Sequence, residues 1–218
     1  MGFRKLALGM VASLVVLMVC FNGQSKAAGK GFSDFNQKDW GYSEVHYLVG
    51  KGVLEGYPDG TFKPDKAIKR KEAATMIGRV FDLNGEKRKT EFPDVDRYDY
   101  ASGYIQSGAD NGYITGYPDH TFRPNQSMQR DEMAYLVSRA FSLKDVNKFL
   151  PYTDVIQNKD NYIPINKVTT AGINNGYEDG TFRPDKNISR REFSIMVARA
   201  MNSKFRPTQS QSFEFEGV

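Results

Sequence analysis

The chain has 218 residues, of which 39% are hydrophobic and 26% charged; this balance excludes a disordered polymer and suits one or two globular domains. Its formal charge is +4, and loss of Arg4, Lys5 and Lys26 with a leader of residues 1–27 would leave +1. A near-neutral protein exerts no general pull on nucleic acid, so no nucleic-acid partner is expected.

Residues 1–27 read as a secretory signal peptide. Arg4 and Lys5 form a positive head, Leu6 to Phe21 an apolar run, and Ser25-Lys26-Ala27 offers small residues around a cut after Ala27. The run of about 16 residues is short for a membrane span, which needs about 20, so no membrane insertion is expected once the leader is cleaved. Cys20 is the only cysteine and would leave with the leader. The remaining chain then has neither disulfide nor thiol nucleophile and rests on its core alone.

Three repeats follow, at 32–89, 90–149 and 150–204. The first opens on Phe32-Ser33-Asp34 and carries a first helix with Trp40, Val45, Leu48, Val49 and Val53. The segment Gly56-Tyr57-Pro58-Asp59-Gly60-Thr61-Phe62-Lys63-Pro64 is then a turn-forming loop. A second helix follows, whose Ala73, Met76, Ile77, Val80 and Phe81 are spaced as one apolar stripe. The second repeat restates all of this 60 residues later: Phe92-Pro93-Asp94, Tyr100, the loop from Gly116 to Pro124, and the stripe from Met133 to Phe141. The third adds another 60, with Tyr152-Thr153-Asp154, the loop from Gly176 to Pro184, and the stripe from Phe193 to Met201. Its first helix has Pro164 near the start, tolerable only in a first turn. Residues 205–218 are polar and aperiodic and read as a flexible tail.

Each second helix starts at an Arg-x-Glu: Arg70 and Glu72, Arg130 and Glu132, Arg190 and Glu192. Ser189 and Glu192 form a capping box, and Lys69 and Gln129 weaken the equivalent caps. One two-helix unit buries its stripe poorly, whereas three bury theirs against one another. The expected fold is therefore mainly α: three helix-loop-helix repeats in one pseudo-threefold helical bundle, a three-lobed prism. Three separate beads on a string are the alternative.

These residues resemble the S-layer homology family over roughly 32–202. The shared features are the FxD-type opening, an aromatic-led first helix, the GYPDGTFRP loop and a TRAE-like start to the second helix. The sequence departs from that pattern at Lys69, Gln129, Lys71, Asp131 and Arg191, at His120 and Glu178 in the loops, and at Asp160, where Trp40 and Tyr100 predict an aromatic. The resemblance implies non-covalent anchoring to the bacterial cell wall by binding a secondary cell-wall polysaccharide, often pyruvylated, in grooves between repeats. It also implies a secreted, cell-surface location associated with the S-layer.

An acidic sugar would suit the residues. Arg70, Arg130 and Arg190 stand in the first turn of a helix, where a cation opposes the dipole, and three such placements point to a role. Free N–H groups at a helix start favour an anion, and an arginine fork matches a carboxylate. The other reading makes each arginine a clamp on an aspartate of a neighbouring repeat, Asp94, Asp154 or Asp34. Trp40, Tyr100 and the displaced Tyr162 either stack on sugar or cap the core. In a closed ring, Arg70 would pair with Asp94 and Tyr100, Arg130 with Asp154 and Tyr162, and Arg190 with Asp34 and Trp40. The groove at Arg130, with Asp160 in place of an aromatic, would then be the weakest.

No cofactor and no metal are expected, since Asp59, Asp119 and Asp179 lack a calcium-loop ligand series and read as turn residues. His46 and His120 are the only histidines and lie at unrelated positions, so the chain is not expected to be an enzyme. A glycan-active enzyme and a structural protein that binds an unknown protein partner are the rival classes.

Overall fold

The computed structural model describes residues 31–145 and 149–207. The leader at 1–27 and the tail beyond Pro207 lie outside the described residues. Six α-helices alternate between short and long: α1 (Tyr42–Gly50), α2 (Arg70–Val80), α3 (Ser102–Asp110), α4 (Arg130–Ala140), α5 (Tyr162–Thr170) and α6 (Arg190–Met201). Among the described residues there is no extended strand, only isolated bridges. The fold is the mainly helical repeat bundle that the periodicity predicts.

The helices pair across repeats. α2 packs on α3, α4 on α5, and α6 returns to pack on α1. That last contact closes the chain into a ring, which a string of separate beads does not do. The second-helix stripes fill one continuous core, with Ala73, Ile77, Met133, Val137, Phe193 and Val197 fully buried.

The axis is bound by backbone. Ile188 donates its N–H to the Met128 carbonyl at 2.9 Å, Met128 to Ile68 at 2.9 Å, and Ile68 back to Ile188 at 3.0 Å. Three hydrophobic residues, each just before a second helix, thus satisfy one another in a closed cycle, and each side chain is buried.

The loops are built alike. Asp34 takes the N–H groups of Phe62 and Lys63 at 2.7 and 2.8 Å. Asp94 does the same for Phe122 and Arg123, and Asp154 for Phe182 and Arg183. The opening aspartate of each repeat is therefore a clasp on its own loop. Within each loop the turn aspartate accepts from a threonine two residues on, as Asp179 does from Thr181. His120, where the other repeats have glycine, adopts a left-handed φ of 63°, a conformation that disfavours a side chain. After α6 a short 3-10 turn (Ser203–Phe205) brings Phe205 onto Tyr47 at 5.1 Å between ring centroids. The head of the expected tail is thus packed.

Candidate functional site

The helix-start arginines are structural partners of the neighbouring loop. Arg70 sends Nε to the Phe122 carbonyl at 2.8 Å and Nη1 to Glu132 at 3.0 Å. Arg130 repeats this with Phe182 at 2.8 Å and Glu192 at 3.4 Å, and Arg190 with Phe62 at 2.9 Å and Glu72 at 3.5 Å. Each guanidinium also lies over the loop tyrosine and phenylalanine: Arg70 over Tyr117 and Phe122, Arg130 over Tyr177 and Phe182, Arg190 over Tyr57 and Phe62.

The glutamates explain the rest of the Arg-x-Glu motif. Glu72 accepts from its N-cap Lys69 N–H at 2.8 Å, from the Tyr57 hydroxyl at 2.6 Å, and faces Arg190. Glu132 and Glu192 hold the same three partners, with the hydroxyls of Tyr117 and Tyr177. Burial, with the hydrogen bond to Glu72 adding to it, pushes the Tyr57 hydroxyl far above its ordinary range. These tyrosines therefore stay neutral donors, and each glutamate is an ionic node joining two repeats.

Three expectations are corrected here. The arginine partners are glutamates and carbonyls, because Asp34, Asp94 and Asp154 are already spent on their own loops. The first-turn N–H groups are not free for an anion: Arg70, Arg130 and Arg190 donate theirs to Gln126, Lys186 and Lys66 of the neighbouring loops. The residues after them donate to Pro124, Pro184 and Pro64. The predicted pairing of arginine with aromatic also fails. In two repeats the residue after the arginine makes that contact, Lys71 with the Tyr100 ring at 5.2 Å and Arg191 with Trp40 at 4.8 Å.

The ring leaves three clefts, one beside each loop. The first holds about 230 Å³ and is lined by Tyr57, Glu72, Arg79, Tyr100 and Arg190. The second holds about 280 Å³ and is lined by Arg70, Tyr113, Tyr117, Tyr135, Leu136 and Arg139. Beyond Tyr135 it adjoins a shallower hollow with Asp131, Lys159 and Asp160. Beside the loop of the third repeat the side chains in register with Tyr135 and Arg139 are packed away. Ile195 and Arg199 are buried there, and Arg206 donates to the Arg199 carbonyl at 3.0 Å. A Cβ on Gly41 would meet Ile195 at 2.4 Å. Arg130 lies against this loop, over Tyr177 and Phe182, and is 1% exposed.

Asp160 thus lies in the hollow beyond Tyr135, which adjoins the cleft of Arg70. Burial raises the carboxyl of its neighbour Asp131 above the usual range, though a hydrogen bond from Asn161 opposes it. Tyr100 is half exposed at the rim of the first cleft, and burial of its hydroxyl pushes it up to about 12. Tyr162 opens α5 and is partly buried.

Sequence reasoning missed a second arginine in each repeat, Arg79, Arg139 and Arg199. The same 60-residue step marks them. They stand in the last turn of the second helix, beside the apolar stripe, where a basic residue suits the helix dipole and draws no notice. Arg79 pairs with Glu55 at 2.9 Å, Arg139 donates to the Thr115 hydroxyl at 2.7 Å, and Arg199 reaches the Ile173 carbonyl at 3.5 Å. Among the described residues no helix is long and apolar enough to cross a membrane, and no cluster of metal-ligating side chains is present.

Known proteins are similar to this chain over most of its length. A cellulosome-anchoring protein of Acetivibrio thermocellus is 31% identical over 79% of this chain and 39% of its own length. S-layer protein EA1 of Bacillus anthracis is 30% identical over 90% of the chain and 23% of its own. An endoglucanase of Bacillus sp. strain KSM-635 is 26% identical over 88% of the chain and 21% of its own. The chain spans less than two fifths of the length of each. The profile of the S-layer homology domain matches at 31–74, 91–134 and 151–194, once in each repeat, and the chain belongs to the S-layer homology domain family.

Proposed function

We propose that this chain is a non-enzymatic anchor, exported and held non-covalently on the bacterial cell wall. Its ligand is a secondary cell-wall polysaccharide, pyruvylated, bound in clefts between repeats. The observation that carries this reading is the pair of open clefts of about 230 and 280 Å³, each combining buried arginine with tyrosine rings. That size and chemistry suit a sugar bearing a carboxylate: rings offer flat apolar contact, and guanidinium groups offer charge-assisted hydrogen bonds. The relatives named for cellulosome anchoring and for the S-layer support a surface role.

Within this reading, Arg70 and Arg190 form the floors of the open clefts, Tyr100 a wall of the first, and Arg130 a purely structural floor of the third. Trp40, Tyr162, Asp34, Asp94 and Asp154 line neither open cleft, and the three aspartates act on the loops instead. Purified cell-wall sacculi test the reading. The protein should be retained on them, be released by denaturant, and lose retention once the polysaccharide is stripped. N-terminal sequencing of the wall-bound protein should begin near Ala28. Release of sugar fragments would establish an enzyme instead, and retention indifferent to polysaccharide would establish a protein partner.

A further inference from the structure

The three clefts differ at positions that the repeat places in register. Glu55, Thr115 and Asn175 are equivalent, as are Thr75, Tyr135 and Ile195, and Tyr100, Asp160 and Trp40. In the first cleft, Glu55 neutralises Arg79 at 2.9 Å. In the second, Thr115 stands where that glutamate would be, and Arg139 holds only a neutral hydroxyl at 2.7 Å. Among the described residues Arg139 makes no ion pair, and it is exposed beside the larger open cleft. In the third, Ile195 and Arg199 are buried.

The aromatic wall has changed sides as well. Tyr100 reaches the first cleft from the neighbouring repeat. The equivalent of Tyr100 is Asp160, which lies in the hollow adjoining the second cleft, and Tyr135 supplies the ring from α4, with Arg139 at 5.6 Å from its centroid. Asp160 thus leaves the second cleft without a borrowed ring but not without a ring.

We propose that the second cleft is the main seat of the acidic sugar and that Arg139, left uncompensated by Thr115, is the cation that takes its carboxylate. This deepens the reading of the clefts as glycan sites and rests on it. A ligand carboxylate that reaches for Arg79 in the first cleft must displace Glu55 from it. In the second cleft it replaces only a threonine hydroxyl, which leaves more of the charge-assisted bond as net affinity. The ligand also has a direction. Its carboxylate lies toward Arg139 and away from Glu132, its ring against Tyr135, and its hydroxyls toward the adjoining hollow with the acceptors Asp131 and Asp160.

Calorimetric titration of the wild-type chain with the methyl glycoside of a 4,6-O-pyruvylated N-acetylhexosamine tests this, with the neutral, unpyruvylated glycoside as control. Arg139→Gln should weaken the pyruvylated probe about tenfold or more, the scale of one charge-assisted hydrogen bond. Thr115→Glu should do nearly the same by rebuilding in the second cleft the pair found in the first. Thr115 is exposed, so this variant remains decisive if Arg139→Gln disturbs folding. Binding of Thr115→Glu within twofold of wild type overturns the proposal, as does equal binding of the neutral glycoside or failure of the wild type to bind the pyruvylated one. Sacculus retention is read separately. Its loss in the wild type would sink the anchoring role itself, whereas retention with an unchanged Thr115→Glu would sink only this assignment.

Discussion

Replacing Arg130 by alanine should act on stability before it acts on binding. The side chain is 1% exposed and holds three partners: the Phe182 carbonyl at 2.8 Å, Glu192 at 3.4 Å and the Asn174 side-chain oxygen at 3.3 Å. Its removal opens a void and leaves Glu192, itself buried, without its cation. Breaking a buried pair from one side costs about 3–5 kcal/mol. For a domain of this size about 1 kcal/mol moves Tm by roughly 2–4 °C, so a fall of about 6–20 °C is expected. The loss is a large share of the roughly 5–15 kcal/mol that holds a domain folded. Arg70→Ala and Arg190→Ala should cost less, because their partners Glu132 and Glu72 keep more contact with water, at 17% and 12% side-chain exposure. Thermal denaturation followed by circular dichroism is the assay. An Arg130→Ala protein melting within about 2 °C of wild type, or one less affected than Arg70→Ala, would refute the ring of arginine clamps.

Two further outcomes follow from the geometry. Gly41→Ala should lose about 1–3 kcal/mol in chemical denaturation, since Gly41 has a φ of 76° and an added Cβ would press on Ile195. The Asp179 carboxyl should titrate by NMR at about 2, held down first by the Thr181 hydroxyl, then by Arg183 and the Thr181 N–H. Because its folded value lies below the ordinary 3.8, its contribution to stability is present above that pH and is lost as pH falls toward 2. Thr181→Val should return the midpoint toward the ordinary range.

The sequence by itself determined the repeats, the helices and the family. A 60-residue step written three times makes every apolar stripe and turn its own control, and amphipathic periodicity is a local property that one chain displays in full. The capping role of Glu192 and the turn roles of Asp59, Asp119 and Asp179 were legible for the same reason: their partners lie within three residues. Ring closure was legible only as an inference from burial, and it needed α6 on α1 to become a fact.

Tertiary structure alone decided who meets whom across the repeats. Arg70 and Glu132 are 62 residues apart, and Arg190 and Phe62 are 128 apart. No spacing rule distinguishes a glutamate from an aspartate partner at that range. The aspartates were the plausible choice until the backbone N–H groups of Phe62, Phe122 and Phe182 claimed them. The first-turn N–H groups looked available to a ligand because a sequence shows a helix start but not the neighbouring carbonyls that fill it. The inequality of the clefts is likewise a property of packing. Repeats that are near copies in sequence differ in space through Glu55 against Thr115 and through Ile195 against Gly41, and only assembly shows which of these side chains share a cleft.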